Sequence, residues 1–251
     1  MTKQIFPLAL GGLAIGTTEF IIMGLLPDVA KDLGVSIPIA GHLISAYAFG
    51  VVVGAPILVA LSSKFPPKNI LIVYMILFTL FNALSIIAPD YNTLLMSRFL
   101  AGLPHGAFFG VGTIVAIKLS KKGKEAQAVS SMFTGLTLAI LLLVPFLTYI
   151  GHNTSYKWAF LIVSLLGIFT ILALLKFMPK LKSLKTVTFK EEIEFFLTFK
   201  AWHIILIVAI GFGGLFAWFS YIAPLLINVS KFPPSSISYL MLVAGVGMVV
   251  G

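Results

Sequence analysis

Apolar residues run through this chain in long continuous blocks, separated by short stretches of charge, proline and glycine. Seven blocks reach the roughly 20 apolar residues that a helix needs to cross a bilayer. They are Phe6 to Pro27, Ala40 to Leu61, Ile70 to Ala88, Thr93 to Ile117, Ala126 to Ile150, Trp158 to Phe177 and Trp202 to Ile227. An eighth starts near Ile237 and reaches Gly251, about five residues short of a crossing. The runs are continuous rather than alternating, so barrel strands are not predicted and the fold class is an all-α membrane protein. A single lysine, Lys3, precedes the first block and no small-residue cleavage site follows it, so that block reads as a retained span rather than a signal peptide.

Charge sharpens this picture. Thirteen basic residues fall on one side of the predicted spans: Lys3, Lys64, Lys68, the cluster Lys118 to Lys124, and Lys176 to Lys200. Lys31, Lys157 and Lys231 fall on the other, and Arg98 lies within a span. Basic residues accumulate on the cytoplasmic face, which predicts a cytoplasmic N-terminus. The same placement accounts for the net charge of +9 without nucleic acid, since the lysines form no patch interleaved with aromatics. Charged residues make up 10% of the chain against about 25% in a soluble domain. No cysteine is present, which excludes disulfides and thiol chemistry. No zinc motif, nucleophile elbow or phosphate loop occurs, so neither an enzyme nor a cofactor or metal is predicted.

Shifting the chain by 197 positions lays span seven on span one. Gly16 meets Gly213, Pro27 meets Pro224 where each closes its span, and Gly50 and Gly54 meet Gly247 and Gly251, with no gap. Two parallel six-span halves are a known transporter plan. The expected organisation is a six-helix half over 1–178, a cytoplasmic linker over 179–200 and the start of a second half over 201–251. A twelve-span architecture would then lack about four and a half spans here. In the linker, Phe189, Ile193, Phe196 and Leu197 recur at helical spacing with Glu191, Glu192 and Glu194 off that face. That pattern fits an amphipathic helix on the membrane surface, or a plain linker.

Chemistry concentrates in two spans. Glu19 lies eight residues before Pro27, about 12 Å from that end of span one, and Arg98 lies seven residues after Tyr91, about 10 Å into span four. A charge at the bilayer centre costs about 2.5–3.5 kcal/mol and defaults to a functional role. The matched depths predict that the two approach each other across one cavity, either as a proton-accepting carboxylate tuned by a cation or as a fixed pair joining the spans. Span four continues as Arg98-Phe-Leu-Ala-Gly102-Leu-Pro-His105-Gly106-Ala-Phe-Phe-Gly110. Gly102, Gly106 and Gly110 recur every four residues and predict close helix packing. Arg98, Gly102 and His105 share one face, so His105 is either a second titrating group below Arg98 or a neutral histidine bonded to backbone. Pro104 predicts a kink. Tyr47, Asn82, Trp218 and Tyr221 are weaker candidates for the lining of a substrate cavity, against packing or interfacial roles.

Residues 11–36, GGLAIGTTEFIIMGLLPDVAKDLGVS, together with residues 98–110, resemble the major facilitator superfamily over the whole chain, and within it the drug:proton antiporter branch that includes arabinose and sugar efflux permeases. The resemblance implies alternating access between two six-helix halves, a bacterial inner-membrane location, a monomer in the lipid bilayer, and a small solute moved with protons. It also implies that Arg98 is the signature arginine and Glu19 the acid of span one. The loop ALSSKFPPKN keeps Lys64 and Lys68 but has Ser63 at the family's acidic position and Pro66 at its later glycine. Span five keeps Gly135 and Pro145 but has Leu143 and Leu147 where glycines are expected, and leucine there blocks close helix contact. The expected function is proton-coupled efflux of small organic solutes, with import, or a non-transporting membrane protein, as the alternatives.

Overall fold

The structure is a computed structural model that describes residues 3–62, 65–183, 194 and 197–250. Those residues are helical or in short connections, without a strand among them. In chain order the helices are α1 (Phe6–Asp32), α2 (Ile37–Ser62), α3 (Pro67–Ile87), α4 (Tyr91–Leu119), α5 (Glu125–Leu138), α6 (Val144–Asn153), α7 (Tyr156–Phe177), α8 (Phe199–Ser220), α9 (Ile222–Pro224) and α10 (Ile237–Val250). A π-helical turn, Ala139–Leu143, joins α5 to α6, so the two make one span. Seven helices are long and apolar enough to cross a membrane, matching the seven apolar blocks. The chain is a multi-pass α-helical membrane protein.

Local rules set most of the ends. Asp90 caps α4 by accepting from the Thr93 N–H at 2.8 Å, and Ser155 caps α7 by accepting from the Lys157 N–H at 3.3 Å. That hydrogen bond holds the Asp90 carboxyl below its ordinary range. Pro67 begins α3 at the position where a missing N–H costs nothing. Gly34, with φ of +64°, ends α1 in a Schellman turn, in which the Val35 N–H reaches the Ala30 carbonyl at 3.0 Å and the Gly34 N–H the Lys31 carbonyl at 3.3 Å.

One boundary differs from expectation. Pro27 does not close span one; the helix runs through it to Asp32. Val29 and Ala30 beyond the proline are buried, and their packing outweighs the one backbone bond that Pro27 deletes. Pro224 does stand at a break, between α8 and the π-helical turn Leu225–Val229, so the two prolines of the 197-residue shift play different local parts. Pro104 lies inside an unbroken α4. Pro145 follows the π turn of Ala139–Leu143, where the Val144 N–H bonds five residues back to the Ala139 carbonyl, an adjustment that accommodates a residue with no N–H of its own. The amphipathic segment expected near 189–197 lies, apart from Glu194 and Leu197, outside the described residues, as do Ser63 and Lys64.

Helix α1 is the axis of the bundle, packed against α2, α5, α6 and α7. Two apolar clusters occupy its two ends, one around Leu8, Ile15, Phe78 and Phe108, the other around Ile21, Leu25, Leu94 and Phe160. Between them lies a layer of buried polar side chains: Thr17, Thr18, Asn82, Ser85, Ser97 and Arg98. Helix α8, in contrast, is exposed along most of its length, with Ala201 and Phe219 buried and Phe216 and Ser220 half-buried.

Glycines bring the central helices close. A Cβ on Gly102 would collide with the Tyr47 carbonyl, one on Gly50 with the Phe99 carbonyl and one on Gly54 with the Leu103 carbonyl, so α2 and α4 cross backbone to backbone. Gly106 is less restricted, since its Cβ would meet the Ala55 methyl at 2.7 Å, and Gly110 is loose, with Val59 at 3.7 Å. Gly135 abuts the Ala9 carbonyl, which gives α1 and α5 a close contact although Leu143 and Leu147 replace the expected glycines. Leu147 is instead buried in the core. Lys68 donates to the carbonyls of Leu175 and Met178, both at 2.7 Å, tying the start of α3 to the end of α7.

Candidate functional site

Arg98 is fully buried in the polar layer, and its partner is not the carboxylate expected for it. Its Nη1 donates to Thr18 Oγ1 and its Nη2 to the Thr18 carbonyl, each at 2.9 Å. The guanidinium lies 4.4 Å from the centre of the Tyr47 ring and 5.6 Å from that of Phe160. Such faces stabilise a desolvated cation by about 2 kcal/mol each. Arg98 Nε has no hydrogen-bond partner, and among the described residues no ion pair joins Arg98 to Glu19. Arg98 thus reaches the residue next to Glu19 in the chain.

Asn82 belongs to this buried network. Its Nδ2 donates to the Phe78 carbonyl at 2.8 Å, and its Oδ1 accepts from the Thr18 hydroxyl at 2.5 Å. Tyr47 is likewise interior: its ring covers Arg98 and its hydroxyl is 3.0 Å from His105 Nδ1. The face shared by Arg98, Gly102 and His105 therefore converges on one residue, Tyr47, which separates His105 from Arg98.

Glu19 and His105 both line a cavity of about 550 Å³ enclosed by α1, α2, α4, α5 and, from the other side, α8 and α10. Its wall is otherwise apolar and rich in phenyl rings. Phe109 stacks on Phe133 at 5.0 Å and Phe20 on Phe216 at 5.7 Å. Two predicted lining residues are not there. Trp218 is exposed on the outside of α8, one side of Phe219. Tyr221 lies at the break after α8, its hydroxyl against Gly41. Phe212, Phe216 and Phe219 take their place, because the face that α8 turns inward is set by its docking on α1, which the apolar run Trp202 to Ile227 does not encode. Thr18, the residue that holds Arg98, gave no sequence signal beyond its position beside Glu19.

Residues 8–251 match the profile of the Major Facilitator Superfamily. The chain belongs to that superfamily. It is 42% identical over 244 residues to the inner membrane transport protein YdhP of Escherichia coli K12, covering 97% of this chain and 63% of that protein. It is 30% identical over 250 residues to a Helicobacter pylori 26695 protein named "Probable sugar efflux transporter", covering 99% and 63%. In three dimensions the superfamily member superposes on a bacterial homolog of the human lysosomal transporter Spinster with a TM-score of 0.78 at 14% identity, over 98% of this chain and 59% of that one. The chain thus spans a little under two-thirds of the length of its curated relatives. The superfamily and the named relatives are transporters, not enzymes.

Proposed function

We propose that this chain forms the solute cavity and proton site of a secondary transporter that exports small organic solutes in exchange for protons by alternating access. Residues 1–178 act as one six-helix half, 179–200 as the linker and 201–251 as the beginning of the second half, in the bacterial inner membrane with the N-terminus cytoplasmic. The observation that carries the reading is the position of Glu19, a carboxyl group on the wall of an apolar cavity at the junction of α1–α7 with α8 and α10. Ionisable groups at this depth are rare and serve ion or proton pathways. Phenyl rings around it suit a solute with an apolar face, and a cavity between two helix groups is where rocking would expose a ligand to alternate sides. Outward transport is the direction that the Helicobacter pylori relative's name carries, and the overlap with YdhP supports the inner membrane.

The test is reconstitution in proteoliposomes with internal pH followed as sugars and lipophilic cations are added. Solute-dependent proton flux that vanishes in Glu19→Gln is expected. Full proton-coupled flux in that variant would remove Glu19 from the mechanism.

A further inference from the structure

The hydrogen bonds around Arg98 permit one polarity only. The Phe78 carbonyl can only accept, so Asn82 turns its NH2 toward it, 2.8 Å away. That leaves Asn82 Oδ1 facing Thr18 at 2.5 Å, again an acceptor, so the Thr18 hydroxyl gives its single proton there. What remains on Thr18 Oγ1 is lone pairs, and the Arg98 Nη1–H fills one at 2.9 Å while Nη2 takes the Thr18 carbonyl. The chain Phe78–Asn82–Thr18–Arg98 links α3, α1 and α4 and is buried throughout. Its polarity ends in an acceptor aimed at a cation, and the next residue along α1 is the carboxylate on the cavity wall.

We propose that Thr18, oriented by Asn82, is a positioning residue that parks the Arg98 guanidinium on α1 and so keeps it from closing an ion pair with Glu19. The inference rests on the reading of Glu19 as the proton site. The titratable or charged groups that face Glu19 are Arg98 and His105 from α4 and Tyr47 from α2; α5, α8 and α10 present Phe133, Leu136, Phe216 and Met248 to the cavity. Arg98 is therefore the cation that competes for Glu19. Without the Thr18 hydroxyl, the freed Nη1–H finds its acceptor in the neighbouring carboxylate. Arginine–carboxylate pairs are bidentate and strong where water is excluded. Such a pair would withdraw Glu19 from proton exchange while leaving the cavity intact.

The test is carbodiimide labelling of Glu19 in the purified protein, read by peptide mass spectrometry, with dicyclohexylcarbodiimide as the probe. A free carboxylic acid adds to this reagent and rearranges to a stable N-acylurea, whereas a carboxylate paired to arginine does not. Glu19 is expected to label in the unmodified protein and in Thr18→Ser, which keeps the hydroxyl. Labelling is expected to fall roughly tenfold or more in Thr18→Val, as when a cation closes on a carboxylate. Thr18→Ala, which adds no bulk, provides the same comparison if the valine variant does not fold. Equal labelling in the serine, valine and alanine variants would leave Thr18 a packing residue and overturn the inference alone. No labelling in the unmodified protein would remove the proton-site reading beneath it.

Discussion

Substituting alanine at two glycines of one helix face should have opposite effects. On Gly102 the new methyl falls on the Tyr47 carbonyl and within 3.1 Å of the Val51 nitrogen, which are backbone atoms that cannot rotate away. Helices α2 and α4 would have to separate, and overpacking of this kind costs about 1–3 kcal/mol. For a chain of this length each kcal/mol moves the melting temperature by about 2–4 °C, so Gly102→Ala should lower it by between about 2 and 12 °C. At Gly110 the nearest atom, Val59 Cγ2, would be 3.7 Å away, an ordinary contact. There the substitution relieves only the poor helix propensity of glycine, about 0.8–1 kcal/mol, and Gly110→Ala should raise the melting temperature by a few degrees. Thermal unfolding in one detergent, followed by intrinsic fluorescence, compares the two directly. Shifts of the same sign and size would show that the close crossing at Tyr47 does not set this interface.

Other expectations follow from single contacts. Lys68→Met removes two bonds to the last carbonyls of α7 and should cost about 1 kcal/mol, with faster amide exchange at the end of that helix and recovery in Lys68→Arg. Tyr47→Phe keeps the ring over Arg98 but deletes the bond to His105, so a loss of about 1 kcal/mol in thermal unfolding is expected. The Asp28–His152 pair, 2.9 Å long and partly exposed on both sides, should contribute less than about 1 kcal/mol, so His152→Ala should leave the melting temperature nearly unchanged. Asp90 has a depressed carboxyl pKa in the fold. Its stabilisation is therefore present above the ordinary aspartate value of about 3.9 and lost as pH falls through the folded value. Amide-exchange protection at the start of α4, taken relative to the intrinsic rate at each pH, should fall in acid, and that dependence should disappear in Asp90→Ala.

How far the sequence could be read depended on whether a feature is set along a helix or around it. Length and hydropathy act along the axis, and the seven spans were legible for that reason. The glycine row of α4 was legible in part, because a residue without a side chain invites close approach from whichever helix faces it: α2 sets Gly50 against Phe99 and Gly102, and Gly54 against Leu103, whereas Gly110 stays loose. Pro27 misled because the local rule that a proline ends a helix is a weak term beside the burial of Val29 and Ala30.

The Arg98 partner exposes the deeper limit. Counting residues at about 1.5 Å each brings Arg98 to the height of Glu19, and the structure joins it to the residue beside Glu19. Adjacent residues differ by almost nothing in height but by about 100° in direction around the axis, at 3.6 residues per turn. That angle decides whether the guanidinium meets a carboxylate or a hydroxyl. It is set by how α1 rolls against α4 and α3, through contacts such as Phe108 on Gly11 and Asn82 on Thr18, and none of these is local in sequence. The same argument explains α8, where Trp218 and Tyr221 stood out by residue type but Phe216 and Phe219 face the cavity. In a uniformly apolar span no polar face records the rotation, so the cavity wall is written in the joint packing of the helices that enclose it.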